Sequence, residues 1–290
     1  MSLQIFINGL ALGSVYALIA TGFSLIFNVL KFSNFSHRAL MTLSAFSGYF
    51  YASVKGWGLI PTILTAVATG ALVSLFGEFV AFRRIMLRNT SPIYFFVSSI
   101  TLGTFYEGIV TKKVGANFYN YPRFFKNATL KFGEIVISTS DALMFLCSAA
   151  ALLLLAFIIK KTRLGRALRS VSFDRDTASL MGINVIRIIQ LAFIISGALA
   201  GLAGVFLGIN YTLYPTLGSL VVKGFIASVI GGLGSLPGAI IGAVLLGMTE
   251  TMLINFVGSG YAPIFTFVIM LVFLLVRPKG IAGSNIQEKA

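Results

Sequence analysis

Eight stretches of this chain contain no Asp, Glu, Lys or Arg: 1–30, 39–54, 56–77, 89–106, 142–159, 188–222, 224–249 and 251–276. A helix needs about 20 apolar residues to cross roughly 30 Å of hydrocarbon, so these are eight candidate membrane spans. The longest has room for more than one element. The runs are continuous rather than alternating, which excludes an outer-membrane barrel with its two-residue period. Composition supports the same class: 10% of the 290 residues are charged, against about 25% in soluble domains, too few to clothe a soluble core. The expected fold is all-α, a polytopic transmembrane helix bundle.

The net charge of +14 would suggest nucleic acid in a soluble protein. In a membrane protein, Lys and Arg collect in cytoplasmic loops and set orientation. The connector at 83–88 carries Arg83, Arg84 and Arg88, and that at 160–187 carries Lys160, Lys161, Arg163, Arg166, Arg169, Arg175 and Arg187. Two spans separate them, so they share a side. The loop between, 112–138, carries only Lys112, Lys113, Arg123, Lys126 and Lys131. The first two connectors are therefore expected in the cytoplasm, with the tail from Arg277-Pro278-Lys279 beside them. The first run lacks the basic leader of a cleaved signal and is expected to be a retained helix. Cys147 is the lone cysteine, which excludes an intrachain disulfide.

Parity then constrains the second half. Arg187 and Arg277 belong on one side, yet three uncharged runs lie between them. Either that stretch makes four crossings, one of them short, or one element is re-entrant. The total is eight or nine spans with broken or re-entrant helices. Gly231-Gly232-Leu233-Gly234-Ser235-Leu236-Pro237-Gly238 must interrupt a helix. The stretch 31–38 is either a cytoplasmic turn or a break at membrane depth. A weak internal repeat aligns Pro61, Ala68, Gly70 and Glu78 with Pro237, Ala243, Gly247 and Glu250, each set preceded by a broken stretch, 33–45 and 215–227. Paired broken helices in duplicated halves point to a transport pathway.

Within 160–187, Ser172 or Asp174 is placed to cap a short helix, Asp176 sits in its first turn, and Gly182 supplies the stop. Thr177, Leu180 and Met181 share a face at helical spacing. Such a helix either docks a cytoplasmic partner or lies on its own bundle or the lipid interface.

Blocks running through nearly the whole chain resemble a known family. They include Asn8-Gly9-x-x-x-Gly13-Ser14-x-Tyr16-Ala17-Leu18, Asn34-Phe35-Ser36-His37 and Thr162-Arg163-Leu164-Gly165-Arg166-Ala167. Ala178-Ser179-Leu180-Met181-Gly182-Ile183-Asn184, Gly197-Ala198-Leu199-Ala200-Gly201-Leu202-Ala203-Gly204, the 231–242 block and Arg277-Pro278-Lys279-Gly280-Ile281 follow in order. The chain is similar to Liv-type branched-chain amino-acid permeases, membrane subunits of bacterial and archaeal ABC importers. The resemblance implies a single permease domain over 1–290 in a prokaryotic inner membrane. It implies a coupling helix within 160–187, carried by Asp174, Asp176, Thr177, Ala178, Leu180, Met181 and Gly182, seated on an ATP-binding subunit. The implied partners are a second homologous permease (the same chain or another), two cytoplasmic ATPases that bind ATP and Mg, and an extracytoplasmic binding protein. No G-x-x-x-x-G-K-[ST] phosphate loop occurs, so this chain is expected to be non-catalytic and to hold no cofactor.

The resemblance also places the pathway near the two broken stretches, giving Asn34, Ser36, His37, Pro215, Gly218 and Glu250 as candidate lining. The family pattern at the first break is Asn-Phe-Ala-His-Gly. Here Arg38 stands where the family has Gly, and it is read as a further charge on the cytoplasmic side. His37 is the sole histidine; with one Cys it offers no zinc site, and a hydrogen-bonding role is expected. Glu250, alone in an uncharged stretch, must face protein or water rather than lipid, meeting either a substrate ammonium or a neighbouring helix. Glu78, near Arg83, is read as structural. The glycines at 197, 201, 204 and 208 suit close helix packing. The loop from Asn117 to Lys126 mixes aromatics and cations, suiting a binding-protein contact or an interfacial belt, and Asn127-Ala128-Thr129 is a sequon without meaning in a prokaryote.

The leading expectation is thus import of branched-chain or related amino acids. Import of urea or short amides by the same kind of complex is the alternative within the family. An ATP-independent channel or secondary transporter would need no docking helix, and an intramembrane enzyme would need an acid–base–nucleophile set that the sequence does not offer.

Overall fold

The computed structural model describes residues 2–88, 91–125, 129–132, 135–277 and 280–282. Lys126, the sequon asparagine Asn127 and Pro278-Lys279 lie outside the described residues. The long helices are α1 (Ser2–Leu30), α2 (Ser36–Val54), α3 (Leu59–Gly77), α5 (Pro92–Val114), α6 (Thr139–Lys161), α9 (Val185–Asn210), α11 (Leu236–Val257) and α12 (Ala262–Val276). α3 runs on through a π-helical turn, Glu78–Phe82, into α4 (Arg83–Leu87). The loop after α6 folds as α7 (Arg163–Phe173) and α8 (Arg175–Leu180), while α10 (Val221–Gly231) follows a 3-10 turn at Leu217–Leu220. One antiparallel hairpin, β1 (Thr129–Phe132) and β2 (Ile135–Ser138), precedes α6.

Six of these helices are long and apolar enough to cross a membrane, and 217–231 and 262–276 are shorter apolar helices. With α2, which is in neither group, the bundle has nine helical segments among the described residues. Between Arg187 and Arg277 lie α9, α10, α11 and α12, which meets the parity requirement, with α10 as the short crossing. The charge-free runs do not coincide with the helices: Arg38, Glu107, Lys223 and Glu250 all lie inside helical segments.

α1 and α9 are buried over most of their length, whereas α3, α5, α6 and α11 expose most of theirs. The two central helices are wrapped reciprocally. α1 packs on α10 and α11, α9 packs on α2 and α3, and α1 and α9 meet each other. Glycine permits the closest of these contacts. A Cβ on Gly197 would strike the Gly70 carbonyl and one on Gly201 the Ala66 carbonyl, just as one on Gly247 would strike the Gly13 backbone and one on Gly13 would sit 2.9 Å from Val244 Cα. Gly70 and Gly247 thus sit alike, each against a glycine of the central helix it packs on, whereas Glu78 and Glu250 have different partners. Glu78 makes a bidentate ion pair with Arg83, at 2.7 Å and 3.2 Å, just past the π-helical turn.

The bundle has two distinct ends. At the basic end, α7 and α8 lie beside the end of α1, where the Arg175 guanidinium donates twice to the Val29 carbonyl at 2.8 and 3.1 Å. At the hairpin end, the Gln4 side chain exchanges hydrogen bonds with the backbone of Val136 in β2. The aromatic loop there turns partly inward. Tyr121 is buried with its hydroxyl donating to the Ala45 carbonyl at 2.6 Å, and Tyr119 pairs by backbone with Leu213.

Candidate functional site

The first break follows α1. Lys31 closes that helix in the left-handed region, φ 57°, its N–H donating to the Phe27 carbonyl at 2.8 Å. The chain then continues in non-helical form through 31–35, with the Asn34 carboxamide accepting from the Ser36 N–H at 3.2 Å and hydroxyl at 2.7 Å. α2 therefore starts inside the bundle. Its first residue lies against Gly103, in the middle of α5, and His37 contacts Ser196 of α9 at 3.4 Å. Of the two alternatives for 31–38, this is the intramembrane break. Such backbone is tolerated at depth only where protein or a cavity surrounds it.

The second break follows α9. Residues 211–216 turn back, anchored by the Tyr119–Leu213 bridge, and the 3-10 turn enters the bundle against α2. There the Gly218 N–H donates to Thr42 Oγ1 at 2.8 Å, and a Cβ at 218 would collide with the Arg38 carbonyl. Only glycine admits this approach. The structure thus buries Asn34, Ser36, His37, Pro215 and Gly218, and it seats Gly218 of the second break on Arg38 and Thr42 just past the first. His37 bridges three helices, because the Ser196 hydroxyl facing its Nδ1 also donates to the Gly22 carbonyl of α1 at 2.8 Å. Its Nε2 finds no hydrogen-bond partner among the described residues. The exposed residues at this junction are others: Thr216 and Ser219 are exposed, and Phe35 and Arg38 partly so.

Glu250 lies apart from these five, between α1, α10 and α11. One carboxylate oxygen accepts from the Tyr16 hydroxyl at 3.0 Å, and the other is ion-paired to Lys223. Lys223 also donates to the Tyr16 hydroxyl at 3.2 Å. The ammonium that Glu250 meets here belongs to the protein, from the helix following the second break.

Arg38 corrects the expectation that placed it on the cytoplasmic side. It is in α2 just past the first break and pairs with Glu107, in the second half of α5, at 3.0 Å. Counting uncharged runs makes Glu107 only a boundary. The signal that places it is arithmetic: the 89–106 run is too short for α5 unless Glu107 is inside the helix. Arg38 and Glu107 thus join Lys223 and Glu250 as ionisable residues within the bundle.

At the basic end, Thr162 caps α7, accepting from the Gly165 N–H at 3.2 Å. Asp174, not Ser172, caps α8: its carboxylate accepts from the Asp176 and Thr177 N–H groups at 2.9 and 3.2 Å and from the Thr177 hydroxyl at 2.7 Å. Those bonds hold its carboxyl below the ordinary range. Gly182 ends the segment at φ 81°. Ala178 faces the bundle, buried, while Phe173, Leu180 and Met181 are 94%, 87% and 79% exposed. A groove of about 620 Å³ runs beside them, lined by Arg169, Phe173, Asp174, Thr177 and Met181 among others.

Paired breaks around a two-helix centre, with an exposed apolar turn at one end, make this a polytopic membrane bundle. Residues 5–276 match the family described as branched-chain amino acid transport system / permease component, and the chain belongs to that family. It is 32% identical to the high-affinity branched-chain amino acid transport system permease protein LivH of Salmonella typhimurium, over 99% of this chain and 97% of that one. The BraD permease protein of Pseudomonas aeruginosa is also 32% identical, with the same coverage. A LivH permease protein of Methanocaldococcus jannaschii is 26% identical over 94% of this chain and 90% of its own. In fold, the chain is similar to a chain of PsaBC from Streptococcus pneumoniae, solved in complex with Fab, with a TM-score of 0.53 at 18% identity, covering 94% of this chain and 91% of that one.

Proposed function

We propose that this chain is the membrane-spanning permease subunit of an ATP-driven importer of branched-chain amino acids in a prokaryotic inner membrane. The observation that carries the reading is the docking loop: a capped helix presenting Phe173, Leu180 and Met181 to solvent on a family member whose own bundle does not cover them. Three large apolar side chains held out on a rigid turn suit a cleft in another protein. The partners are two cytoplasmic ATPases that bind ATP and Mg, a second homologous permease, and an extracytoplasmic binding protein. The basic end, with the C-terminus, then faces the cytoplasm.

The loop is tied to the pathway by one connection. Arg175, the first residue of α8, holds the Val29 carbonyl in the last turn of α1, and α1 leads directly into the 31–35 break. Movement of the ATPases would reach Asn34, Ser36 and His37 through this rod, and the second break through the seat of Gly218 on Arg38 and Thr42. Glu250, held by Lys223, fixes α10 to α1 and α11 so that the second break moves with them.

Affinity purification of the tagged chain from native membranes tests this assignment. Two ATPases and a second permease are expected to co-purify, and to be lost on Leu180→Asp with Met181→Asp. Co-purification that survives the double substitution would contradict the docking role. A chain that purifies alone and moves leucine or urea into liposomes without ATP would contradict the importer.

A further inference from the structure

The three arginines that follow the π-helical turn are not equivalent. Arg83 is engaged on both sides, its guanidinium bonded to the Glu78 carboxylate and 4.6 Å from the centre of the Phe79 ring. Arg84 and Arg88 are exposed, and their side chains have no ion-pair or hydrogen-bond partner among the described residues. They stand one helical turn apart, the Arg88 N–H donating to the Arg84 carbonyl at 3.3 Å. With Ile85 and Tyr94 they line a groove of about 330 Å³ between α4 and the start of α5. The corner that carries the groove is fixed from within. Phe82 and Phe95 both pack on the Phe32 ring, at 5.4 and 4.9 Å between centres, and the Ser98 hydroxyl donates to the Ala81 carbonyl at 3.1 Å. From Phe79 to Tyr106 the chain holds no Asp or Glu, so these elements supply no carboxylate to neutralise the two free arginines.

We infer that this groove binds the headgroup of an anionic phospholipid. Its level in the membrane points to that occupant. One apolar span ends at Leu87 and the next begins at Pro92, so Arg84, Arg88 and Tyr94 lie where headgroups lie. Along the same two helices Val80, Leu87, Ile93 and Val97 are each more than half exposed, an apolar surface for the acyl chains of a lipid held by its phosphate. A guanidinium meets phosphate oxygens with paired N–H donors. Side chains four residues apart on a helix are neighbours, so Arg84 and Arg88 can share one phosphate. Basic pockets between membrane helices favour anionic headgroups for this reason. A zwitterionic lipid brings its own cation to the two arginines and gains less. The inference concerns a resident lipid and holds whichever solute the chain helps to move.

The test uses the full chain with Ile93→Trp in a Trp57→Phe background, which leaves a single tryptophan, beside the groove. The chain is reconstituted in dioleoyl phosphatidylcholine vesicles, and its fluorescence is followed as acyl-brominated phosphatidylglycerol or brominated phosphatidylcholine replaces the host lipid. Phosphatidylglycerol is expected to quench with about tenfold preference, the scale of two arginines that each favour an anionic headgroup several-fold. Arg84→Gln with Arg88→Gln is expected to bring that preference to about one, and Arg84→Lys with Arg88→Lys to keep part of it. Lys112→Gln with Lys113→Gln, at the other end of α5, is expected to leave it unchanged. Equal quenching by the two brominated lipids overturns the proposal. So does a preference that survives the glutamine pair at 84 and 88, or one that the pair at 112 and 113 lowers as much, since either is a diffuse attraction to a cationic chain. Native mass spectrometry of the unsubstituted complex gives a readout free of any folding defect. Retained phosphatidylglycerol supports the site, and a complex that binds phosphatidylglycerol no better than phosphatidylcholine, its groove covered by another subunit, overturns it.

Discussion

Three carboxylates in this bundle are ion-paired in different company. Glu78 is held by Arg83 beside the π-helical turn, Glu107 by Arg38 at a break, and Glu250 by Lys223 and Tyr16 between three helices. Removing one partner of a buried pair strands the other, so Glu250→Ala is expected to destabilise the detergent-solubilised protein by about 3–5 kcal/mol. Lys223→Met with Glu250→Leu, which removes both charges, is expected to be far milder; thermal unfolding of both variants separates the two. A double variant as unstable as the single one would show that Lys223 is not the relevant partner. At the central contact, a Cβ on Gly197 would strike the Gly70 backbone and Ser74 Cβ, so Gly197→Ala is expected to cost about 1–3 kcal/mol or more by overpacking. The glycines are legible in the sequence as packing residues because small side chains at helical spacing have few other uses. The ion pairs are not. Arg38, Glu107 and Lys223 mark the ends of uncharged runs, and only the partners supplied by distant helices allow them inside.

At the scale of an element, the capped helix α8 is the most legible part of the site. Capping is local: Asp174, the first-turn Asp176 and the Gly182 stop are all within reach of one another along the chain, and the structure uses each in that way. What sequence could not choose is whether the apolar face turns inward, since that depends on α7 and α9 packing against α8. Asp174→Asn is expected to preserve hydrogen-exchange protection at the Asp176 and Thr177 amides, whereas Asp174→Ala is expected to lose it. The carboxyl of Asp174 is depressed in the folded state, so its contribution is complete at neutral pH. That contribution fades only as pH falls below the usual carboxylate range. Protection at these amides is therefore expected to be flat between about pH 5 and 8 as far as this cap is concerned, an order-of-magnitude window set by unperturbed carboxylates. Arg175→Gln should leave the ATPases bound but lower the uptake obtained per ATP hydrolysed, because it frees the loop from α1. Unchanged coupling in that variant would exclude this connection as the route.

Across the whole molecule, nine helical segments among the described residues carry the chain from α1, which begins at the hairpin end, to α12, which finishes at the basic end. Composition and charge asymmetry make the polytopic class legible, and with it the need for either a fourth crossing or a re-entrant element after Arg187, because both are set by the solvent rather than by specific contacts. The depth of the 31–35 break is not legible. It depends on Ser36 meeting Gly103 and on Gly218 meeting Thr42, contacts between segments far apart in sequence. The reciprocal wrapping of α1 and α9 explains why those two breaks arrive at the same level, since each is the connection that follows a central helix. Moving one central helix would therefore shift one break against the other. The most direct measurement is leucine uptake into proteoliposomes holding this chain with its co-purified subunits and binding protein, with and without ATP. Uptake that requires ATP and hydrolysis, and that disappears with Leu180→Asp and Met181→Asp while the ATPases themselves stay active, is the expected result. Equal uptake in the absence of ATP would contradict it.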